Sequence, residues 1–300
     1  MLSREMTILS RLAKPHYLYR PAQILRRARL GAEPEPVVQT PWGCPMLVSQ
    51  ADAIGAGIAR MGVHELAVTE TMWRLAGGDA LALDVGANVG YFTGMLAQRA
   101  EQVVALEPNP RLQRFIAPNI ERCGLGGRVT LETRAASDRE GTATLHLPAG
   151  FDGNYGVATL TADGGEDAGA TSYEIETVRL DEVIGGRTVG LLKLDVEGHE
   201  LTALRGAVES LKAGLIRDVV FEDHQPPPSP VFRMLESMGF SISGIEERLT
   251  GPQLIAADRA PRGWDAPTYI ATRDASRTSR LMGRRGWHCL RPGKEQQWGR

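Results

Sequence analysis

The chain has 300 residues, of which 42% are apolar and 23% are charged, and its formal net charge is -2. This composition is typical of a globular protein with a sizeable core, and the near balance of 34 basic and 36 acidic residues excludes an overall positive field for nucleic acid or anionic membranes. The sequence has no run of about 18 apolar residues and no secretory signal, so it predicts a cytoplasmic protein without a membrane span. The three cysteines, Cys44, Cys123 and Cys289, are far apart and form no Cys-x-x-Cys pair, which predicts neither a disulfide nor a zinc site.

Residues 1–75 are predicted to form a helical cap before the main domain. The first 40 or so residues are rich in Arg and Lys, with Leu and Ile between them, up to a break at Pro34 and Pro36. This basic amphipathic pattern is typical of a helix packed on the main body. The alternative is contact with an anionic glycan, lipid or carrier.

Residues 76–273 alternate short apolar runs with longer amphipathic stretches. This rhythm predicts an α/β fold with a doubly wound, mostly parallel, seven-stranded sheet of Rossmann-like type. Seven strands follow this rhythm, at 81–85, 103–106, 129–133, 190–196, 218–221, 240–245 and 268–271, and two alternating strands are predicted in the less regular middle, at 142–147 and 173–180. A single helix is predicted after strand 190–196 and another at 231–238. The segment 150–169 predicts a long loop that serves as a lid or binding element, and the basic residues 274–300 predict a mobile tail.

A glycine-rich turn follows the first strand of this domain, in the order Asp84-Val85-Gly86-Ala87-Asn88-Val89-Gly90. In a doubly wound sheet ligands bind at this edge, and glycines let the backbone approach them closely. The spacing lacks the Gly-x-Gly-x-x-Gly of dinucleotide sites and the Gly-Lys-Ser/Thr of phosphate loops. The turn therefore favours a nucleoside cofactor without phosphate, whose ammonium and carboxylate groups Asp84 and Asn88 would engage.

Glu107 directly follows the next predicted strand, 103–106. An acid in this place accepts hydrogen bonds from the ribose hydroxyls of an adenosine. Together with the glycine-rich turn, Glu107 predicts an adenosine-containing cofactor at the carboxyl edge of the sheet.

Three motifs, correctly ordered and each at a strand end, resemble one known family: the turn 84–90, then Glu107-Pro-Asn-Pro110, then Lys193-Leu-Asp-Val-Glu-Gly-His-Glu200. Over about 81–223 the chain resembles the FkbM family of S-adenosylmethionine-dependent methyltransferases, which have the class I methyltransferase fold. The resemblance implies S-adenosylmethionine as the cofactor, held by Asp84, Gly86, Asn88, Gly90, Glu107, Asn109 and Ala136. It also implies O-methylation of a hydroxyl on a small molecule, a sugar unit or a polyketide-like secondary metabolite.

The catalytic residues are predicted at the carboxyl ends of strands 190–196 and 218–221. Methyl transfer to a hydroxyl needs in-line alignment and a general base within reach of the leaving proton. Asp195 is predicted on the acceptor side, with His199 or His224 as the base. Alternatively, Asp195, Glu222 and His224 can hold a divalent ion that replaces the base.

Other functional classes have weaker support in the sequence. An adenine-dinucleotide-dependent oxidoreductase or sugar-nucleotide enzyme would use the same fold, but its glycine spacing is missing. A non-catalytic interaction module would not need the polar residues of the three motifs. Methylation of nucleic acid bases is disfavoured because Asn/Asp-Pro-Pro-Tyr is absent and the chain is too acidic overall for unaided duplex binding.

Overall fold

The computed structural model describes Pro15 and residues 33–147, 159–161, 171–260 and 266–291. The strands are β1 Val37–Gln39, β2 Pro45–Leu47, β3 Leu81–Val85, β4 Gln102–Leu106, β5 Val129–Glu132, β6 Ala135–Ser137, β7 Gly141–Leu147, β8 Thr159–Thr161, β9 Thr171–Arg179, β10 Val189–Leu194, β11 Ile216–Glu222, β12 Ser241–Arg248, β13 Gly251–Ile255 and β14 Thr268–Thr272. The α-helices are α1 Ala53–Met61, α2 Leu66–Leu75, α3 Tyr91–Leu96, α4 Pro110–Arg122, α5 Leu180–Ile184, α6 Glu200–Arg205, α7 Val208–Lys212, α8 Pro230–Ser237 and α9 Ala275–Met282. Short 3-10 helices lie at Ala257–Arg259 and His288–Leu290.

The main sheet has eight strands in the order β13-β12-β14-β11-β10-β3-β4-β5. The strands from β11 to β5 are parallel, and β14, β12 and β13 complete the sheet in antiparallel fashion. This confirms the predicted doubly wound, mostly parallel sheet, with β13 added at one edge. The chain order reverses between β3 and β10, which places a ligand-binding crevice at the carboxyl ends of these strands.

A second sheet lies outside the main one, with four strands in the order β6-β9-β7-β8. It contains the predicted strands 142–147 and 173–180, now bounded as β7 and β9. Leu145 of β7 pairs with Leu160 of β8, which is the described part of the loop predicted at 150–169. The rest of that loop lies outside the described residues.

The helix predicted after β10 is divided into α6 and α7 at Gly206. A Cβ atom at this glycine would overlap the carbonyl oxygen of Ser137, at 2.0 Å. The prediction of one continuous helix is wrong, because the Gly206 carbonyl accepts a hydrogen bond from the Asp181 amide at 2.8 Å and the Ser210 amide donates to the Asp181 carboxylate at 2.8 Å instead of to Gly206.

The described part of the predicted N-terminal cap, residues 33–75, contains a β1–β2 hairpin followed by α1 and α2. Asn119 of α4 fastens the hairpin, since its Oδ1 accepts a hydrogen bond from the Leu47 amide at 2.7 Å and its Nδ2 donates to the Leu47 carbonyl at 3.0 Å. Cys44 and Cys123 form a disulfide between the hairpin and the end of α4, with Cα atoms 4.8 Å apart. The prediction that no disulfide forms is wrong, because folding joins cysteines that are distant in sequence. Most of the predicted basic lead-in lies outside the described residues.

The C-terminal segment from 275 to 291 is folded, and the predicted mobile tail is wrong for these residues. Arg74 of α2 is buried and donates hydrogen bonds to the carbonyls of Met282, Arg284 and Gly286 at 2.7 to 2.9 Å. Trp287 is only 2% exposed. These long-range contacts hold the end of α9 and the residues after it against α2. Residues 292–300 lie outside the described residues, and no helix within the described ranges is long and apolar enough to cross a membrane.

Candidate active site

A cavity lies at the carboxyl ends of β3, β4 and β10, at the reversal point of the main sheet. The second sheet and the N-terminal cap close its sides. The cavity brings together six of the predicted site residues, namely Gly86, Asn88, Glu107, Asn109, Ala136 and Asp195. Its apolar wall includes Ile54, Leu112, Leu145 and Leu160.

The Glu107 carboxylate joins two of the three motifs. Its Oε2 accepts a hydrogen bond from the Asn88 amide at 2.7 Å, and its Oε1 accepts one from the Asn109 amide at 2.9 Å. A carboxylate has about four acceptor positions, so two remain for a ligand. Burial raises the pKa of Glu107 to about 7, although the two amide donors oppose this shift. These features fit an acid that receives the two hydroxyls of a ribose.

The glycine-rich turn adopts a backbone that few side chains allow. Gly86 and Asn88 have φ angles of 81° and 54°. A Cβ atom on Gly86 would lie 1.8 Å from the carbonyl oxygen of Asp195, so the turn and the segment after β10 are in direct contact. This contact holds the first and third motifs side by side at the cavity.

Asp84 and Gly90 stand at the two ends of the glycine-rich turn and do not line the cavity. Asp84 is fully buried, accepts a hydrogen bond from Thr93 Oγ1 at 2.6 Å and lies 3.6 Å from Lys193 Nζ. Burial raises the pKa of Asp84, and Lys193 opposes the shift. Gly90 precedes α3 and packs against Ile116.

Lys193 is the buried cation between the motifs. Its Nζ donates to the Gly86 carbonyl at 2.6 Å and lies 3.1 Å from Asp195 Oδ2. Burial opposes the charge, but Asp195 and Asp84 raise the pKa of Lys193 above the usual lysine value. The lysine therefore neutralises Asp84 and orients Asp195, which is the role of an ion-pair partner.

Two further carboxylates stand near Asp195. Glu197 lines the cavity with a φ of 52°, and burial followed by Asp195 and Glu200 raises its pKa to about 7. Glu222 ends β11, and burial followed by Asp195 raises its pKa to about 9. The ends of β10 and β11 beside Asp195 therefore bring together carboxyl groups for which burial opposes the negative charge.

The two predicted catalytic histidines lie away from the cavity lining. His199 Nε2 is 3.5 Å from Ser137 Oγ, and burial lowers the pKa of its imidazole. His224 is exposed beyond the end of β11. Among the described residues, no group of three or more His, Cys, Asp or Glu side chains is arranged to hold a metal ion.

The family model of the methyltransferase FkbM domain matches residues 84–242 of the chain. The chain belongs to the FkbM methyltransferase family. The matched region runs from the glycine-rich turn through β11 into β12, so it includes all three motifs at the cavity. It leaves out the N-terminal cap and the C-terminal segment.

Individual relatives of this FkbM protein are distant. The chain is 28% identical over 190 residues to Methyltransferase 1 of Beauveria bassiana, covering 55% of this chain and 74% of that protein. It is 28% identical over 167 residues to the hexuronic acid methyltransferase AglP of Haloferax volcanii, covering 54% of this chain and 64% of the relative. A crystal structure of methyltransferase FkbM from Methylobacillus flagellatus has 16% identity and a TM-score of 0.42, covering 83% of this chain and 58% of that one. The chain thus spans less than two thirds of the latter two proteins.

The sequence interpretation missed the residues that reach the cavity from outside the main sheet. Leu145 and Leu160 belong to the second sheet, and Ile54 begins α1. Alternation in 142–147 indicated a half-exposed strand, but no local pattern indicated which surface this strand would face. Contacts of this kind depend on tertiary packing.

Proposed function

We propose that the protein is an S-adenosylmethionine-dependent O-methyltransferase. It would methylate a hydroxyl of a small molecule, a sugar unit or a polyketide-like secondary metabolite. The observation that carries the proposal is that one cavity contains both Glu107 and Asp195. Glu107, in the second motif, has two free acceptor positions, and Asp195, in the third motif, is held by Lys193 of the same motif. This pairing supports a nucleoside site directly beside an acceptor site.

The cofactor residues of this proposal have distinct tasks. Glu107 would receive the ribose hydroxyls, with Asn109 fixing one of its oxygens. Gly86 and Asn88 would bind the methionine end, while Asp84 and Gly90 would hold the turn in place. Ala136, with the apolar wall of the cavity, would contact the adenine. When bound, the cofactor supplies a methyl group on a sulfonium ion.

The side of the cavity at Asp195 and Glu197 supports a hydroxyl substrate, because a carboxylate there can accept a proton. A hydroxyl must lose its proton during transfer, whereas a neutral amine can attack first and lose its proton afterwards. Asp195 would orient the acceptor, and nearby bases would take the proton. One relative is named a hexuronic acid methyltransferase, which makes hexuronic acids and other sugars the first acceptors to screen.

The decisive experiment measures cofactor binding and then transfer. Calorimetry should show that S-adenosylmethionine and S-adenosylhomocysteine bind to the wild type and that NAD does not. Methyl glucoside, methyl glucuronide and a hydroxylated polyketide would then be incubated with cofactor labelled in the methyl group, with mass spectrometry locating the label on oxygen. Binding of NAD alone would overturn the proposal in favour of an oxidoreductase, and binding of none of the three would favour a non-catalytic module.

A further inference from the structure

Three titratable side chains line the cavity in the part of the chain that the structure describes, and all three are acidic: Glu107, Asp195 and Glu197. Both oxygens of Glu107 already accept backbone amides, and the proposed function assigns their remaining positions to the ribose. Oδ2 of Asp195 lies 3.1 Å from the Lys193 ammonium. Within the described ranges Glu197 has neither a hydrogen-bond nor an ion-pair partner, so its carboxyl group remains available to an acceptor.

The backbone at Glu197 has an unusual conformation. Its φ of 52° lies in the left-handed region, where the β-carbon of an L-residue is crowded, and Gly198 follows with a φ of 92°. Such conformations cost free energy and are concentrated at functional sites. Asn88, which also lines the cavity, has a positive φ as well. A glutamate thus stands where a glycine would fit more easily, which points to a role for its side chain.

Glu200 holds the loop that carries Glu197. Its Oε1 accepts a hydrogen bond from the Val196 amide at 3.0 Å and one from the Gly198 amide at 3.1 Å. These two amides belong to the residues on either side of Glu197. The loop is therefore fixed around Glu197 by contacts that do not use the Glu197 side chain itself.

The start of this loop lies against the cofactor turn. The Asp195 amide donates to the Val85 carbonyl at 3.1 Å, and the Asp195 carbonyl is so close to Gly86 that no β-carbon would fit between them. Under the proposed function Gly86 and Asn88 bind the methionine end of the cofactor, which carries the methyl group. Glu197 lines the same cavity two residues after Asp195, so its carboxyl group would stand beside the position of methyl transfer.

The surroundings of Glu197 make its carboxylate a stronger base than usual. Burial raises the pKa of Glu197 to about 7, with Asp195 and Glu200 as the next causes. A proton acceptor is most effective when its pKa lies near the working pH. The charged and titratable groups around Glu197 belong to the ends of β10 and β11, to α6 and to the segment before α2, and they are Lys193, Asp195, Glu200, Glu222 and Glu65.

We propose that Glu197 is the general base for the acceptor hydroxyl, an inference that rests on the proposed function. The acceptor oxygen forms a bond to the methyl carbon while the carbon–sulfur bond breaks and its electron pair goes to sulfur. The hydroxyl proton goes to a carboxylate oxygen of Glu197, which becomes a neutral carboxyl group and later releases the proton to water. Asp195 would orient the acceptor through Oδ1, since Lys193 holds its Oδ2.

This assignment differs from the histidine base that the sequence predicts. His199 faces Ser137 and His224 is exposed past β11, and neither lines the cavity. Glu197 belongs to the third motif, but the sequence does not show the burial that raises its pKa. A glutamate in a solvated loop would be a much weaker base.

The first test needs no acceptor. Sinefungin carries an ammonium group in the place of the transferred methyl, whereas S-adenosylhomocysteine carries none. In the wild type, the ratio of sinefungin affinity to S-adenosylhomocysteine affinity should rise roughly threefold or more from pH 6 to pH 8, because Glu197 ionises over this range and attracts the ammonium. The ratio cancels the effect of Glu107, whose proposed ribose contact both ligands share. Calorimetry measures both affinities.

The variants decide which group causes this rise. In Glu197→Gln the affinity ratio should stay constant within about twofold between pH 6 and pH 8. Glu209→Gln, at an exposed site on α7, is the matched control and should behave as the wild type does. A constant ratio in the wild type, or a ratio that still rises in Glu197→Gln, overturns the proposal. A wild type that binds neither ligand removes the proposed function, and the proposal with it.

A stability measurement separates this role from a structural one. Above pH 7 the buried Glu197 carboxylate destabilises the fold, because its pKa is higher in the folded chain than in the unfolded chain. Glu197→Gln removes the charge, and Glu197→Gly also relieves the left-handed backbone. Both variants should therefore keep or raise the wild-type Tm at pH 8. A clear loss of Tm in both would mean that the side chain supports the loop, and would overturn the proposal.

The closing experiment measures transfer to whichever acceptor of the screen takes up the label. At saturating cofactor, Glu197→Gln should lower kcat by roughly 100-fold or more, leave cofactor affinity within about twofold, and remove the rise of kcat with pH on the acidic limb. Glu197→Asp keeps a carboxylate and should retain part of the rate. Near-normal turnover in Glu197→Gln, or a large loss in His199→Gln or His224→Gln instead, overturns the assignment while leaving the methyltransferase proposal intact.

Discussion

Glu107 Oε2 accepts a hydrogen bond from the backbone amide of Asn88 at 2.7 Å, which links the end of β4 to the glycine-rich turn after β3. The same carboxylate holds the Asn109 amide at 2.9 Å through its other oxygen. One acid thus fixes two of the loops that border the cavity. Its remaining acceptor positions are those that the proposed function assigns to the ribose hydroxyls.

Replacing Glu107 should weaken cofactor binding. Hydrogen bonds to a charged acceptor contribute about 1.5 to 3 kcal/mol each, so Glu107→Ala should reduce the affinity for S-adenosylhomocysteine by roughly tenfold to several hundredfold. Calorimetry measures this directly. Glu132→Ala, at the end of the neighbouring β5 and bound to Arg134, is the matched control and should keep the wild-type affinity. A loss of less than about threefold in Glu107→Ala would remove it as the ribose ligand.

Cofactor affinity should rise with pH between 6 and 8. Burial raises the pKa of Glu107 to about 7, so much of the ligand-free protein carries a neutral carboxyl at pH 6. Ribose hydroxyls donate best to the ionised form, and a tenfold change in the ionised fraction corresponds to about a tenfold change in affinity. Binding at pH 7 should therefore release protons, seen as a dependence of the calorimetric heat on the buffer. An affinity that is constant over this range in the wild type would contradict the prediction.

Removing the Lys193 charge should destabilise the fold. Lys193→Met leaves Asp84 buried beside only Thr93, and breaking a buried ion pair costs about 3 to 5 kcal/mol. Urea denaturation at pH 8 measures this loss in the free energy of unfolding. The double variant Lys193→Met with Asp84→Asn should recover part of the stability, because no uncompensated charge is then buried. Lys212→Met, on the surface of α7, should change stability by less than about 0.5 kcal/mol.

The parts of the fold that sequence predicts best are those determined by local pattern. Strand β3 has the predicted bounds, because an uninterrupted apolar run ends at a glycine turn that cannot continue a strand. The end of α6 at Gly206 was missed, since it results from hydrogen bonds to Asp181 on another element. The same distinction applies to the site. Motif residues such as Glu107 and Asp195 meet because the carboxyl ends of parallel strands share one edge, whereas Ile54 reaches the cavity only through the packing of the cap.

The Cys44–Cys123 disulfide should stabilise the N-terminal hairpin against α4. It closes a loop with a sequence separation of 79, for which chain entropy predicts a contribution of about 2 to 5 kcal/mol. Thermal unfolding with and without dithiothreitol should show a lower Tm after reduction, and Cys44→Ser should reproduce that Tm and no longer respond to reductant. Thiol titration of the unfolded wild-type protein without reductant should detect Cys289 alone. Detection of all three cysteines would mean that the pair stays reduced, as a reducing cytoplasm would keep it, and that the hairpin is held mainly by the Asn119 hydrogen bonds to Leu47.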